Sequence, residues 1–146
     1  MIKMLFVRDI MTRWVATVDP KKSVREAATI MAKVNAGSLI IMNKMKPIGI
    51  VTEGDILRAL AKGADPDKVP IRKIMSKKLI TVSPNLRVEE AAKLMAEKQV
   101  KKLPVLEGGG VIGIVTQTDI VASSFDLVNS LKEMVRARYR PPDFQP

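Results

Sequence analysis

Apolar residues in this chain come in two textures, short β-branched runs and longer stretches with helical spacing, and the same order of textures occurs twice. Val15-Ala16-Thr17-Val18, closed by Asp19-Pro20, predicts a short strand with an abrupt stop. Ser23-Val24-Arg25-Glu26 has the spacing of a capping box and opens a helix whose apolar face is Val24, Ala27, Ala28 and Met31. Two apolar runs, Ser38 to Met42 and Pro47 to Val51, flank a polar turn and predict a hairpin. A second helix follows from about Glu53 to Lys62 and ends at Gly63. The second half repeats the order: Val88, Ala91, Ala92 and Met95 form a helical face, and Leu103 to Leu106 and Val111 to Val115 flank Gly108-Gly109-Gly110. Each copy reads strand, helix, strand, strand, helix.

Displacing the sequence by 64 residues aligns 7–60 with 71–124 without a gap, and more than a third of the pairs are identical. Unrelated segments would share roughly three or four identities over that length. Among the identical pairs are Thr17, Val18, Pro20, Glu26, Leu39, Gly49, Thr52 and Asp55, each with a twin 64 positions on. One copy alone has little core, so the two are expected to pack face to face with pseudo-twofold symmetry. The expected organisation is a first domain over 7–62, a linker over 63–70 with two prolines, and a second domain over 71–124. A C-terminal helix and frayed tail over 125–146 complete it. Leu127, Leu131, Met134 and Val135 give that helix an apolar face, and Arg140-Pro141-Pro142 stops it. Having no twin, it is expected to dock on the body or on a partner subunit.

Composition narrows the chemistry. With 47% apolar residues a packed core is affordable, and the absence of Cys and His excludes disulfides, a thiolate nucleophile, cysteine zinc sites and histidine general bases. No window approaches the ~20 apolar residues of a membrane helix, so a soluble, cytoplasmic protein is expected, with no membrane partner. The net charge is +10, which points to anionic partners. It is spread over the copies: residues 1–62 contribute +6, 63–125 contribute +3 and 126–146 contribute +1.

The candidate chemistry lies in Gly-Ile-Val-Thr-x-x-Asp, at 49–55 and again at 113–119. A strand ends at the Thr and a helix starts at once, where amides without intrahelical partners favour anions. Thr can offer a hydroxyl to a phosphate and Asp can accept from a pair of sugar hydroxyls. Helix capping alone also accounts for both residues. Gly108-Gly109-Gly110 is followed by neither a helix start nor Lys-Ser/Thr and reads as a hairpin turn, not a phosphate loop. The nine methionines read mostly as core gap-fillers, and Trp14 as a partly exposed packing residue.

The repeat pattern, Thr-Val-x-Pro at 17–20 and 81–84, Leu-Pro-Val at 103–105 and both Gly-Ile-Val-Thr-x-x-Asp segments resemble the CBS domain, named for cystathionine β-synthase. Two in tandem resemble a Bateman module, over about residues 7–124. The resemblance implies an α/β (α+β) fold of two β-α-β-β-α repeats packed through their sheets, and two clefts that take AMP, ADP, ATP or S-adenosylmethionine. It assigns Thr116, Thr118 and Asp119, with Thr12, Ala16, Gly37 and Ser38, to one cleft. Asp119 would hold ribose, the threonines would reach phosphate, and backbone near Ala16 and Ser38 would read the adenine edge. The other cleft takes Thr52 and Asp55 with Ser76, Ile80, Lys101 and Lys102. There Gly54 stands where the first set has Thr118, so the two differ in ligand or affinity, and the lysines offer cationic phosphate contacts.

Three function classes follow. The leading one is a non-catalytic regulator: an adenine nucleotide bridging both repeats favours one arrangement and signals to a regulated protein the sequence does not name. The resemblance also implies a homodimer. No cofactor and no metal site is expected. The alternative is a nucleic-acid-binding protein using the basic charge and Arg136-Ala-Arg138-Tyr-Arg140, against which stands the lack of an aromatic stacking platform. An enzyme is the weakest reading, because the repeated acids sit at capping positions and form no evident acid–base pair.

Overall fold

The computed structural model describes residues 4–123, which are mixed α and β. The expected C-terminal helix and its Leu127, Leu131, Met134 and Val135 face lie outside the described residues, as does the basic run at 136–140. Among the described residues no helix is long and apolar enough to cross a membrane.

In the first copy the chain runs β1 (Thr17–Val18), α2 (Val24–Val34), β2 (Ser38–Asn43), β3 (Lys46–Thr52) and α3 (Glu53–Ala61), preceded by a single-turn helix α1 (Val7–Ile10). The second gives α4 (Val88–Lys98), β4 (Lys102–Glu107), β5 (Gly110–Thr116) and α5 (Gln117–Ala122). The Ser23 hydroxyl accepts the Glu26 amide at 3.1 Å while a Glu26 carboxylate oxygen accepts the Ser23 amide at 2.8 Å, the reciprocal box that opens α2. Its twin, Arg87, caps α4 with no side-chain bond. Both helices end on a left-handed residue, Asn35 and Gln99, which redirects the chain into the following strand. The hairpin β2–β3 turns at Lys44 (φ 58°), whereas β4–β5 turns through Gly108 and Gly109 (φ 61° and 81°), so the glycine triplet is a hairpin turn.

The first strand is not repeated. In the first copy β1 pairs in parallel with β2, and the Ile40 amide donates to the Ala16 carbonyl at 3.0 Å. The twin of Ile40 is Pro104, which has no amide hydrogen to give to Ile80. The second copy therefore keeps only a bridge between Val82 and Val105, and its sheet has two strands where the first has three.

The chain divides into two compact units that do not coincide with the repeats: one is Val15–Leu79, the other joins Met1–Trp14 to Ile80–Pro146. The short segment ahead of each repeat is bonded to the body of the other. In the Val15–Leu79 unit, the Val69 carbonyl accepts the first amide of α2, from Val24 at 2.9 Å, and Ser76 pairs with Ile50 of β3 in both directions at 2.8 and 3.0 Å. In the other unit, the Leu5 carbonyl accepts the Val88 amide at 3.1 Å, and Thr12 pairs with Ile114 of β5, both bonds 2.9 Å. The same exchange appears in the cores. Ile71 is fully buried with Val24, Met31, Leu39, Ile41 and Val51, while its twin Val7 is fully buried with Ala91, Met95, Leu103, Val105 and Val115. Each such side chain contributes roughly 1.5–3 kcal/mol of burial.

Residues 63–70 are thus more than a spacer. The Pro66 carbonyl accepts the Arg25 amide at 2.8 Å and Asp67 is ion-paired to the Arg25 guanidinium, so the segment satisfies the open amides at the start of α2. Met31 and Met95 are buried and Met75 and Met11 pack against the two cores, as expected of gap-fillers, but Met4 and Met45, the latter at the hairpin tip, are exposed. Trp14 is 58% exposed, more a surface residue than a packing one.

Candidate functional site

The strand-to-helix junctions at Thr52 and Thr116 are built alike. Thr52 Oγ1 accepts the Asp55 amide at 3.3 Å, and Asp55 Oδ2 accepts from the Thr52 amide at 2.9 Å and from Thr52 Oγ1 at 3.1 Å. Thr116 Oγ1 accepts the Asp119 amide at 3.1 Å and Asp119 Oδ2 accepts the Thr116 amide at 2.8 Å. The capping function anticipated for these residues is therefore real. It uses one carboxylate oxygen of each aspartate, and both aspartates remain partly exposed.

The second oxygen distinguishes the copies. Asp55 Oδ1 accepts from Arg58 Nη2 at 2.8 Å. At the equivalent spacing from Asp119 the chain has Ala122, which has nothing to donate. A side chain at Gly54 would start 3.1 Å from Arg58 Nη1, so the guanidinium lies over the position where the other copy presents the exposed Thr118. Arg58 escaped the reading of the sequence because attention to identities passes over a mismatched pair. Its three-residue spacing from Asp55 was the available signal.

Two repeated glycines have a packing cause. A Cβ on Gly113 would lie 2.8 Å from the Thr12 carbonyl oxygen and 2.8 Å from Met11 Sδ; on Gly49 it would lie 2.9 Å from the Ser76 carbonyl oxygen and 2.7 Å from Met75 Sδ. Only a hydrogen at these positions lets the leading segment bond to the strand. That close approach sets Thr12 beside β5 two residues before Thr116, and Ser76 beside β3 two residues before Thr52.

Of the predicted sets, Thr12, Thr116, Thr118 and Asp119 share one unit, as do Ser76, Thr52 and Asp55 in the other. Ala16, Gly37 and Ser38 belong to the Thr52 unit, and Ile80, Lys101 and Lys102 to the Thr116 unit. Within each unit Gly37 and Ser38, or Lys101 and Lys102, flank the junction. The Gly37 carbonyl accepts the Glu53 amide at 3.1 Å and Ser38 is paired with Thr52; the Lys101 carbonyl accepts the Gln117 amide at 2.9 Å and Lys102 is paired with Thr116. Lys101 is exposed and Lys102 half-buried. The Ala16 carbonyl already takes the Ile40 amide, whereas Pro104 leaves the Ile80 carbonyl without that partner.

The CBS domain family model matches residues 7–62 and again 71–126. The chain belongs to the CBS-domain family. As a CBS pair it is similar to the CBS domain-containing protein YhcV of Bacillus subtilis, 36% identical over 118 residues that make up 80% of this chain and 84% of that one. Among solved structures it resembles the CBS-domain protein NE2398, with a TM-score of 0.76 at 30% identity over 84% of this chain and 99% of that one. It also resembles the CBS domain pair of protein MJ0100 in complex with 5-methylthioadenosine and S-adenosyl-L-methionine, with a TM-score of 0.74 at 31% identity over 88% and 99% of the two chains.

Proposed function

We propose that this CBS pair is a non-catalytic regulatory module that binds an adenosine compound, AMP, ADP, ATP or S-adenosylmethionine, and passes its occupancy to a partner protein. The observation that carries the reading is the doubled Thr-x-x-Asp junction. Its caps use one oxygen of each aspartate; Thr118 is exposed, Asp119 is half-buried, and Thr12 is bridged to Ile114, two residues before Thr116. The likeness to a CBS pair solved with two adenosine compounds supports it. In this reading Asp119 accepts the ribose hydroxyls, and Thr12, Thr116 and Thr118 face the phosphate or its substitute. Ala16, Gly37, Ser38, Thr52, Asp55, Ser76, Ile80, Lys101 and Lys102 are proposed as further ligand-contacting residues. Signalling requires that the ligand bind one conformation of the module more tightly than another.

The module is further proposed to act as a cytoplasmic homodimer. Leu57 and Leu60 on α3 are exposed at 69% and 44%, an apolar face suited to a second copy.

Thermal shift and calorimetric titration with AMP, ADP, ATP and S-adenosylmethionine test the function, beside RNA and DNA titrations at two salt concentrations. A ligand at a hundred times its Kd should stabilise the fold by about 2.7 kcal/mol. Absence of a shift with every adenosine compound, together with tight salt-dependent nucleic-acid binding, would overturn the proposal in favour of a nucleic-acid-binding role.

A further inference from the structure

The two aspartates differ in what already holds them. Asp55 has both oxygens in use, Oδ2 by the Thr52 cap and Oδ1 by Arg58 at 2.8 Å, whereas the position equivalent to Arg58 beside Asp119 is Ala122. The Arg58 side chain is 67% exposed and the Asp55 side chain 21%, so the guanidinium is the member of the pair that faces solvent. It also lies against Gly54, the position at which the other copy offers the Thr118 hydroxyl.

We propose that Arg58 is a specificity-determining residue that makes the Asp55 set select phosphate-bearing adenosine compounds over the neutral nucleoside, a selection the Asp119 set lacks. This rests on the adenosine-binding reading above. A ribose hydroxyl that takes Asp55 Oδ1 displaces the guanidinium. An exposed ion pair of this kind is weak, so the displacement itself is a small penalty, about twofold in affinity. The released guanidinium, anchored one turn into α3, needs an anion. A phosphate on the same ligand supplies a bidentate partner and adenosine does not, a difference of about tenfold for a charge-assisted pair. Among the described residues no cation is paired with Asp119, so there the hydroxyls face the phosphate with no guanidinium to displace or recapture, and the neutral or sulfonium-bearing nucleosides compete on closer terms.

The test is calorimetric titration of adenosine, AMP and ATP into Asp119→Ala protein, with and without Arg58→Ala. Arg58→Ala is expected to weaken AMP about tenfold while leaving adenosine within about twofold. Arg58→Lys should fall between, since it keeps the charge and loses the planar fork. The reciprocal change, Ala122→Arg in Asp55→Ala protein, should raise the preference for AMP over adenosine. The same Arg58→Ala comparison in the wild-type background keeps the result independent of any fold lesion from Asp119→Ala. If AMP binds and its preference over adenosine is unchanged by Arg58→Ala, the role of Arg58 is overturned while the binding function stands. If no adenosine compound binds the unaltered protein, both are overturned.

Discussion

Substituting Gly113 by Ala should detach the leading segment from β5, and the structure fixes the size of the effect. The new methyl would meet two atoms at 2.8 Å, Met11 Sδ and the Thr12 carbonyl oxygen. The sulfur is the end of a flexible side chain and can turn away at little expense. The carbonyl cannot, because Thr12 both donates to and accepts from Ile114 at 2.9 Å. Either the strand and segment separate, forfeiting two backbone bonds at about 0.5–1.5 kcal/mol each, or the overpacking persists at about 1–3 kcal/mol. A loss of about 2 kcal/mol is expected by either route, several degrees in Tm for a chain of this length. Gly110→Ala is the matched control: its Cβ would meet only the Glu107 carbonyl oxygen, at an ordinary 3.8 Å, and should stay within about 0.5 kcal/mol. Thermal melts measure the difference, and hydrogen exchange at the Thr12 and Ile114 amides shows where it arises. Combining Gly113→Ala with Met11→Ala separates the two contacts. Full rescue by the second change, or a Gly113→Ala melt matching that of Gly110→Ala, would refute the reasoning that the carbonyl is what demands a glycine.

Asp119→Ala should weaken adenosine-compound binding more than Asp55→Ala, because among the described residues Asp55 holds a cation and Asp119 does not; each should also lose about 1 kcal/mol of stability through its cap, and equal affinities in calorimetry would count against the asymmetry. Pro104→Ala restores an amide opposite Ile80 and should show a slowly exchanging proton at 104, the twin of the Ile40 bond; rapid exchange there would mean the missing strand has another cause. Asp67 is held below its usual carboxylate range by the Arg25 hydrogen bond, and Glu26 by the Ser23 amide. Depressed folded values stabilise above the unfolded values and lose that contribution as pH falls through the carboxylate range, so melts should show a small acid-side decline, reduced by Asp67→Asn and, for the exposed Arg25 pair, by salt.

The hairpins and the capping boxes were legible in the sequence because each depends on residues a few positions apart, and the duplication because its identities recur at one fixed displacement of 64. Ser23 with Glu26 and Thr52 with Asp55 signal their own helix starts. The exchange of leading segments was not legible. Aligned repeats assign residues 7–14 to the copy they precede in sequence, and nothing local reveals that Val7 is buried with Leu103 or that Thr12 bonds to Ile114. Gly113 carried the hint, since a buried glycine in mid-strand calls for a close neighbour, but which neighbour is a long-range fact. Arg58 and Pro104 were hidden for another reason. Repeats advertise themselves through what they share, and these two residues act through what their twins lack.

The exchange of leading segments also bears on how such a chain could have arisen and how it can be cut. A polypeptide holding one copy, taken from its own segment to its own second helix, would present β3 or β5 with a bare edge and an empty place in its core where Ile71 or Val7 belongs. It would have to borrow the missing piece from a second molecule, an obligate reciprocal loan between two identical chains. Doubling the gene turns that loan into an internal one and frees each copy to diverge, as Arg58 and Ala122 have done. An excised half should therefore be taken as 15–79, with the segment it uses, and not as 7–62, the segment it begins with.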